Sequence, residues 1–172
     1  MFGFLSLFLS HLLLTLFFCI STLKNMQKHI SSGAIVFQTS PVGVRVLLLY
    51  RKATNSWHLP KGTQRVGETL KETAGREVQE ETGLQVRLES YVGKLDSLIH
   101  REDNTVPKET HYFLAKVFSG DVASHDCEHD EVHFMDFKTA LNHLENFSLH
   151  EKEGEILRMA ERVLCHAIEN TH

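Results

Sequence analysis

The sequence predicts an α/β fold, an α/β/α sandwich arranged around a mixed β-sheet. Short apolar runs that favour strands alternate along the chain with amphipathic stretches that favour helices. The longest such stretch, residues 151–169, carries its apolar side chains on one stripe, as a helix packed on a sheet requires. The chain has 172 residues, which is long enough for one hydrophobic core without disulfides or metal staples.

Two β-like runs open the predicted domain. They cover residues 33–37 and 44–50 and are rich in the apolar and β-branched side chains that strands favour. Pro41 and Gly43, which lie between them, are turn-forming residues. We therefore expect these two runs to form a hairpin.

An extended segment and a helix follow the predicted hairpin. Residues 57–62 are expected to be extended and to enter a loop, because the residue before Pro60 avoids helical dihedral angles. Residues 68–82 are expected to form a helix. Gly83 occupies the position favoured just beyond a helix C-cap, so it is predicted to end this helix.

Three more strands and two more helices complete the predicted order. The strands are expected at residues 86–92, 111–117 and 132–137. The helices are expected at residues 139–146 and 151–169. Polar residues 119–131 form a loop between the last two strands. No internal repeat or low-complexity tract interrupts this order.

Residues 1–28 are expected to be separate from the domain at residues 29–172. Residues 1–20 are nearly all apolar and would span about 30 Å as a helix, which is the thickness of a bilayer core. No Lys or Arg precedes them, unlike a secretory signal peptide. Two interpretations lead: a membrane anchor that leaves the domain on the cytoplasmic side, or an upstream translation artefact with Met26 as the true initiator. Cleaved secretion is the third.

Charge and cysteine content restrict the partners and the compartment. A formal net charge of −4 and the lack of any basic run argue against a surface that coats nucleic acid. Cys19, Cys127 and Cys165 are too scattered for a disulfide framework, which favours a reducing, cytoplasmic compartment. We expect a small-molecule partner, no nucleic acid, and membrane contact only through residues 1–20; no particular oligomeric state is predicted.

Three glutamates in the predicted helix 68–82 indicate a functional site. Glu77, Glu80 and Glu81 stand at positions i, i+3 and i+4, which share one face of a helix. Like charges at this spacing repel each other. A divalent cation such as Mg²⁺ would remove the repulsion, since it prefers carboxylate oxygens and bridges to substrate phosphates. The alternative is a solvated acidic helix held by neighbouring cations.

The spacing around these glutamates resembles the signature of the Nudix hydrolases at every fixed position. That signature is Gly, five residues, Glu, seven residues, and then Arg-Glu-aliphatic-x-Glu-Glu-x-Gly-aliphatic. The matching residues are, in chain order, Gly62, Glu68, Arg76, Glu77, Val78, Glu80, Glu81, Gly83 and Leu84. The resemblance implies the Nudix fold and an enzyme that hydrolyses pyrophosphate bonds.

The resemblance also implies a role for the charged residues of the signature. Glu77, Glu80 and Glu81 would be catalytic metal ligands for Mg²⁺, with Mn²⁺ as an alternative. Such an ion neutralises a diphosphate and lowers the pKa of the attacking water. Arg76 would orient the glutamates, with Glu68 as its ion-pair partner across the junction of loop and helix.

One more carboxylate is expected outside the signature, in the polar loop 119–131. Glu128 is the preferred metal ligand or general base, with Glu131 and Asp126 as alternatives. The pair Glu128-His129 resembles a pair found at this place in diadenosine-tetraphosphate hydrolases. Two other interpretations are a merely solvated acidic loop and a zinc site built from the loop's histidines and cysteine, although the latter lacks a recognised ligand spacing.

Residues on the substrate side follow from two further resemblances. The motif Trp-x-Leu-Pro-Lys-Gly that starts at Trp57, and residues 108–113, resemble the branch that acts on dinucleoside and diphosphoinositol polyphosphates. Lys61 is expected to contact a phosphate as a point charge. Trp57 is expected at the substrate site, and Tyr112 either stacks on a base or belongs to the core. Gly62 is expected to allow tight backbone geometry in the loop.

The favoured function is Mg²⁺-dependent hydrolysis of a nucleoside diphosphate linked to another group, with diadenosine tetraphosphate as the leading substrate. Cleavage of nucleoside triphosphates or of diphosphoinositol polyphosphates is the alternative, although the latter would require a basic rim that the sequence does not plainly show. A third hypothesis is a module that senses a nucleotide without turnover. Such modules typically lose signature glutamates, and all three are present here.

Overall fold

Seven strands and three α-helices make up the part of the chain that the computed structural model describes, residues 28–41, 43–101, 103–124, 129–148 and 152–169. The strands are β1 (His29–Ser40), β2 (Gly43–Arg51), β3 (Ser56–His58), β4 (Lys61–Thr63), β5 (Leu84–His100), β6 (Thr105–Gly120) and β7 (Glu131–Asp136). The helices are α1 (Leu70–Thr82), α2 (Phe137–Phe147) and α3 (Glu153–Glu169). Each predicted element is present.

All seven strands belong to one mixed sheet. Its main order is β3-β2-β1-β6-β5, with β4 added to β1 and β7 added to β2. β1 runs parallel to β6 along one edge, and its other edge is shared by β4 and β2, both antiparallel to it. β1 and β2 form the predicted hairpin. The parallel pair among antiparallel ones confirms the expected mixed sheet.

Alternate residues of the central strands point to opposite faces of the sheet and divide the core into two layers. Ile35 and Leu48 belong to the layer that packs against α2 and α3. Ala34 and Val36 belong to the other layer, together with Val78 of α1. The sheet is therefore covered by α1 on one face and by α2 and α3 on the other, which confirms the α/β/α sandwich.

Both ends of α1 are set by local side-chain and backbone chemistry. The Thr69 side chain accepts a hydrogen bond from the Glu72 main-chain N–H at 3.2 Å, and the Glu72 carboxylate accepts one from the Thr69 N–H at 2.7 Å. This capping box starts the helix at Leu70, two residues after the predicted start. Gly83 adopts the left-handed conformation, with φ 71°, and ends the helix where expected.

The bounds predicted for β5 and β6 were wrong, because both strands extend well beyond the apolar runs. They pair as a long hairpin from Leu84 opposite Gly120 to His100 opposite Thr105. The distal half of the hairpin is polar, and Lys94 bridges Asp96 on its own strand and Glu109 on the partner strand. Cross-strand charge pairs of this kind stabilise a hairpin without a hydrophobic pattern.

The N-terminal segment, residues 1–27, lies outside the described residues. The membrane anchor at residues 1–20 and the start at Met26 therefore stay predictions. Within the described ranges, α1, α2 and α3 all lack the length and apolar character needed to cross a bilayer.

Candidate active site

Helix α1 brings the three glutamates against β4 and the adjoining loop. Glu81 Oε2 accepts a hydrogen bond from the Lys61 main-chain N–H at 2.9 Å. The Glu77 carboxyl lies against the α-carbon of Gly62, so close that a β-carbon built there would be 2.1 Å from its carbon atom. Glu80 points toward solvent with 44 % of its side chain exposed. Two carboxylates are thus held by β4, and the third is open to solvent.

Arg76 stands at the centre of this arrangement. Its Nε and Nη2 donate to the two oxygens of Glu68 at 2.6 and 3.0 Å. This is the predicted ion pair, in bidentate geometry. Its Nη1 donates to Glu77 Oε1 at 2.6 Å and to Glu80 Oε2 at 3.0 Å. Nη2 also donates to the Thr63 carbonyl at 3.1 Å. The guanidinium therefore joins the loop, β4 and the acidic ridge.

These contacts shift the ionisation of the groups involved. The hydrogen bond from Arg76 is the main cause that lowers the pKa of Glu68 to about 2. The same bond raises the pKa of Arg76 above its ordinary value. Burial raises the pKa of Glu77, the Arg76 hydrogen bond opposes that shift, and the charge of Glu80 adds to it. Negative charge is therefore concentrated where it is partly removed from water, and it needs a cation nearby.

Gly62 lies in β4, paired with Ser32 of β1, and its φ angle is not in the left-handed region. This strand position, rather than a loop turn, is where a side chain would obstruct the site. A β-carbon at this position would overlap all three atoms of the Glu77 carboxyl group, at 2.1 to 2.3 Å.

The residues on this ridge fit a divalent cation in their chemistry. Three carboxylates offer the hard oxygen ligands that Mg²⁺ prefers, and the exposed Glu80 leaves the ridge accessible. Over the described residues, no three His, Cys, Asp or Glu side chains surround a common point that would hold an ion. Arg76 accounts for this, since it binds the carboxylates of Glu77 and Glu80 itself.

Lys61 and Tyr112 both contact a carboxylate that none of the sequence motifs indicates. Glu153, at the start of α3, is fully buried and lies 2.8 Å from the Lys61 ammonium. Tyr112 is also fully buried, and its hydroxyl donates to Glu153 Oε1 at 3.2 Å. Because its ring has no exposed surface, Tyr112 belongs to the core, which is the second of its two expected roles. A sequence signal for Glu153 does exist: it stands three and four residues before Ile156 and Leu157, on the apolar stripe of α3.

A pocket of about 780 Å³ opens on the α3 side of Lys61. Lys108 and Lys152 also line it, together with Asp96 and the buried Glu153. Burial lowers the pKa of Lys108, and the charge of Lys61 lowers it further. An anion in this pocket would relieve both effects, because it favours the charged lysine.

A second pocket, of about 700 Å³, lies beside the loop before α1 and the tip of the β5–β6 hairpin. Lys28, Arg65 and Arg101 line it, with Glu68 as its carboxylate. Glu68 is already neutralised by Arg76. Both pockets thus gather basic side chains from distant parts of the chain, so a basic rim exists although the sequence shows no basic run.

Four other predicted residues lie apart from these pockets or outside the described residues. Trp57 of β3 stacks on His143 of α2, with ring centroids 4.5 Å apart, and lines neither pocket. Its contact with substrate stays a prediction. Glu128 and Asp126 fall outside the described residues, together with the rest of residues 125–128. Glu131 lies in β7, where its carboxylate is 2.7 Å from His133 Nε2.

Comparisons with known proteins agree with this geometry. A family model described as the NUDIX domain matches residues 27–158. A putative mutator protein MutT4 of Mycobacterium tuberculosis is 35 % identical over 82 residues, which are 48 % of this chain and 33 % of that protein. An 8-oxo-(d)GTP phosphatase of Mycolicibacterium smegmatis is 31 % identical over 105 residues, 61 % of this chain and 31 % of that protein. The chain spans about a third of the length of these curated relatives.

Solved structures show the same fold. An Ap4A hydrolase binary complex of C. elegans superposes with a TM-score of 0.65 at 20 % identity, over 80 % of this chain and 98 % of that one. A NUDIX hydrolase from Nitrosomonas europaea also gives a TM-score of 0.65, at 17 % identity, over 79 % and 90 % of the two chains. At such identities the likeness shows the fold alone.

Proposed function

Because this chain belongs to the Nudix family, we propose that it is a metal-dependent hydrolase that cleaves a pyrophosphate bond in a nucleotide-linked substrate. One observation carries the proposal: Glu77, Glu80 and Glu81 share a ridge of α1 that β4 holds in place and that is open to solvent at Glu80. A sensing module without turnover has no need of this complete acidic ridge.

Glu77, Glu80 and Glu81 are the residues that would hold the ion, which Nudix hydrolases generally require. Mg²⁺ is the expected metal and Mn²⁺ the alternative; such an ion, when bound, neutralises the diphosphate and lowers the pKa of the attacking water. The Lys61 N–H and the Arg76 guanidinium hold these carboxylates before the substrate arrives. Pyrophosphate cleavage depends mostly on such positioning and on charge stabilisation.

The substrate we favour is a dinucleoside polyphosphate, with diadenosine tetraphosphate as the best candidate. Such a molecule has an anionic centre and a nucleoside at each end. The two pockets beside β4, of about 780 and 700 Å³, have the size of small-molecule sites and are lined by basic side chains.

A second candidate is a nucleoside triphosphate. It is favoured by the 31 % identity to a protein named 8-oxo-(d)GTP phosphatase. A triphosphate would fill one pocket only, so a variant in the second pocket would leave its turnover unchanged. Arg101→Gln provides this variant, because Arg101 is exposed and lines the pocket at the hairpin tip.

A substrate panel with Mg²⁺, with products resolved by mass spectrometry, tests both candidates. The panel contains diadenosine tetraphosphate, nucleoside triphosphates including an 8-oxo form, ADP-ribose and a diphosphoinositol polyphosphate. Hydrolysis of diadenosine tetraphosphate with the highest kcat/KM supports the favoured substrate, and a preference for triphosphates selects the second candidate. Lack of turnover across the panel at saturating Mg²⁺ would reject the enzymatic proposal.

Glu80→Gln tests the metal-binding ridge. We expect kcat to fall by roughly 100-fold or more, since a metal ligand contributes several kcal/mol to the transition state. The thermal midpoint should change little, because the Glu80 side chain is 44 % exposed. Glu161→Gln, an exposed glutamate on α3, is the matched control and should retain full activity. An unaffected rate in Glu80→Gln would reject the assignment of this residue.

A further inference from the structure

Glu153 is a buried carboxylate that forms an ion pair and several hydrogen bonds. Its side chain has no exposed surface, yet the Lys61 ammonium lies 2.8 Å from Oε1. The Leu59 main-chain N–H donates to Oε2 at 3.2 Å, and the Tyr112 hydroxyl donates to Oε1 at 3.2 Å. The Ser148 hydroxyl also lies 3.5 Å from Oε2. Removing a carboxylate from water is costly, and these contacts offset the cost.

Two of these partners belong to one short segment, residues 59–61, which enters β4. Glu153 therefore holds the segment at two points, through a main-chain N–H and through the lysine side chain. The main-chain N–H of Lys61 donates in turn to Glu81 Oε2 at 2.9 Å. Ala34 of β1 adds a further anchor, since its N–H donates to the Pro60 carbonyl at 3.0 Å. A continuous path of contacts thus leads from α3 to the acidic ridge of α1.

We propose that Glu153 is a positioning residue for Glu81: it fixes the segment 59–61 so that the Lys61 N–H holds the Glu81 carboxylate ready for the metal. The inference rests on the proposed function in one respect, that Glu81 is a metal ligand. Glu153 does not need to touch substrate or metal for this role. It acts through Lys61, whose side chain and main chain point to different carboxylates.

The consequence of losing Glu153 follows from the burial of Lys61. Only 12 % of the Lys61 side chain is exposed, so an ammonium without its carboxylate would turn toward the pocket and the solvent. The Lys61 peptide would then lose one of its fixed points and its alignment with Glu81. Loss of a partner that orients a metal ligand typically weakens metal binding by about 10- to 100-fold.

Direct binding of Mn²⁺ to the full chain, followed by electron paramagnetic resonance, tests the proposal without any substrate. Glu153→Gln should raise the Kd for Mn²⁺ by about 10-fold or more. Glu155→Gln is the matched control, because this glutamate lies in the same first turn of α3 but is exposed. It should bind Mn²⁺ like the unchanged protein. Equal Mn²⁺ affinity in Glu153→Gln and the unchanged protein would overturn the proposal.

A double variant separates positioning from folding. Glu153→Gln leaves the Lys61 ammonium without its carboxylate partner, whereas Lys61→Met with Glu153→Gln removes both charges and should restore the thermal midpoint. We expect its Mn²⁺ affinity to stay weak, because the lysine anchor is still missing. Restored affinity, or a double variant that does not fold, would reduce Glu153 to a core residue and overturn the inference.

The outcomes for the two proposals are distinguishable. If the unchanged protein binds Mn²⁺ and Glu153→Gln binds it more weakly, but the substrate panel gives no turnover, the proposed function fails and the positioning role stands. If the panel gives turnover and both proteins bind Mn²⁺ equally, the positioning role fails alone.

Discussion

Gly62→Ala changes the candidate active site by a single methyl group. Gly62 lies in β4 with the Glu77 carboxyl directly above its α-carbon. The new methyl carbon would be 2.1 Å from the carboxyl carbon and 2.2 and 2.3 Å from its two oxygens. Ordinary contact begins at 3.4 Å, so the carboxyl group must retreat by roughly 1 Å or more. The substitution therefore displaces one proposed metal ligand and leaves the other two in place.

Activity and stability should respond very differently to this substitution. A displacement of about 1 Å in a catalytic constellation typically costs about 100-fold in rate, which corresponds to about 2.7 kcal/mol of transition-state stabilisation. The obstacle is the far end of a flexible side chain, so Glu77 can rotate away without moving the backbone. We expect the free energy of unfolding to fall by less than the roughly 1 to 3 kcal/mol of an overpacked core.

The assay is kcat/KM on the best substrate of the panel, together with urea denaturation. Gly75→Ala is the matched control: it adds the same methyl group to α1, where the nearest atom is a Leu88 methyl carbon at 3.5 Å. The control should keep its activity and gain up to about 1 kcal/mol of stability, since alanine favours helix. Full activity in Gly62→Ala would refute the placement of Glu77 in the site. If activity is lost only because the protein unfolds, the expected difference between the effects on activity and on stability is refuted.

Two further predictions concern the charged network and the core. Because Arg76 lowers the pKa of Glu68 from 4.5 to about 2, this ion pair stabilises the fold fully above pH 4.5 and is lost as the pH falls toward 2. Lysine cannot form a bidentate ion pair, so in Arg76→Lys the free energy of unfolding, measured by urea denaturation between pH 2 and 7, should depend less on pH. The same pH dependence in the variant and the unchanged protein would contradict this prediction. Tyr112→Phe removes the hydroxyl bound to Glu153 and should cost about 2 kcal/mol in thermal unfolding. Its KM should not change, and a raised KM would instead place the Tyr112 hydroxyl in contact with the substrate.

Elements with strong local signals were predicted well. The capping residues of α1 and its C-terminal glycine are neighbours in sequence, so their hydrogen bonds form within one helical turn. The β1–β2 hairpin has the same advantage, because a short turn sets its register. The distal arms of β5 and β6 were missed, because charge pairs such as Lys94 with Glu109 join residues that no local pattern connects.

The candidate site was likewise predictable where its residues are connected by local sequence spacing, and unpredictable elsewhere. The ridge of three glutamates and the pairing of Arg76 with Glu68 were predictable, because helical spacing and a motif of fixed length connect these residues. The contact of Lys61 with Glu153 was not, since the two lie on different elements far apart in the chain. The sequence left Tyr112 open between base stacking and the core, and its complete burial decides for the core.

By itself the sequence determined the family, the order of elements and the acidic ridge of α1, because each depends on spacings that the chain keeps in any fold. Tertiary structure alone decided how the buried charge of Glu153 is compensated. Closing the sheet and packing α3 across it brought Glu153 to Lys61 and gathered scattered basic residues around two pockets. Coulomb interactions depend on the distance between the charges and on their burial, and neither quantity can be read from the sequence.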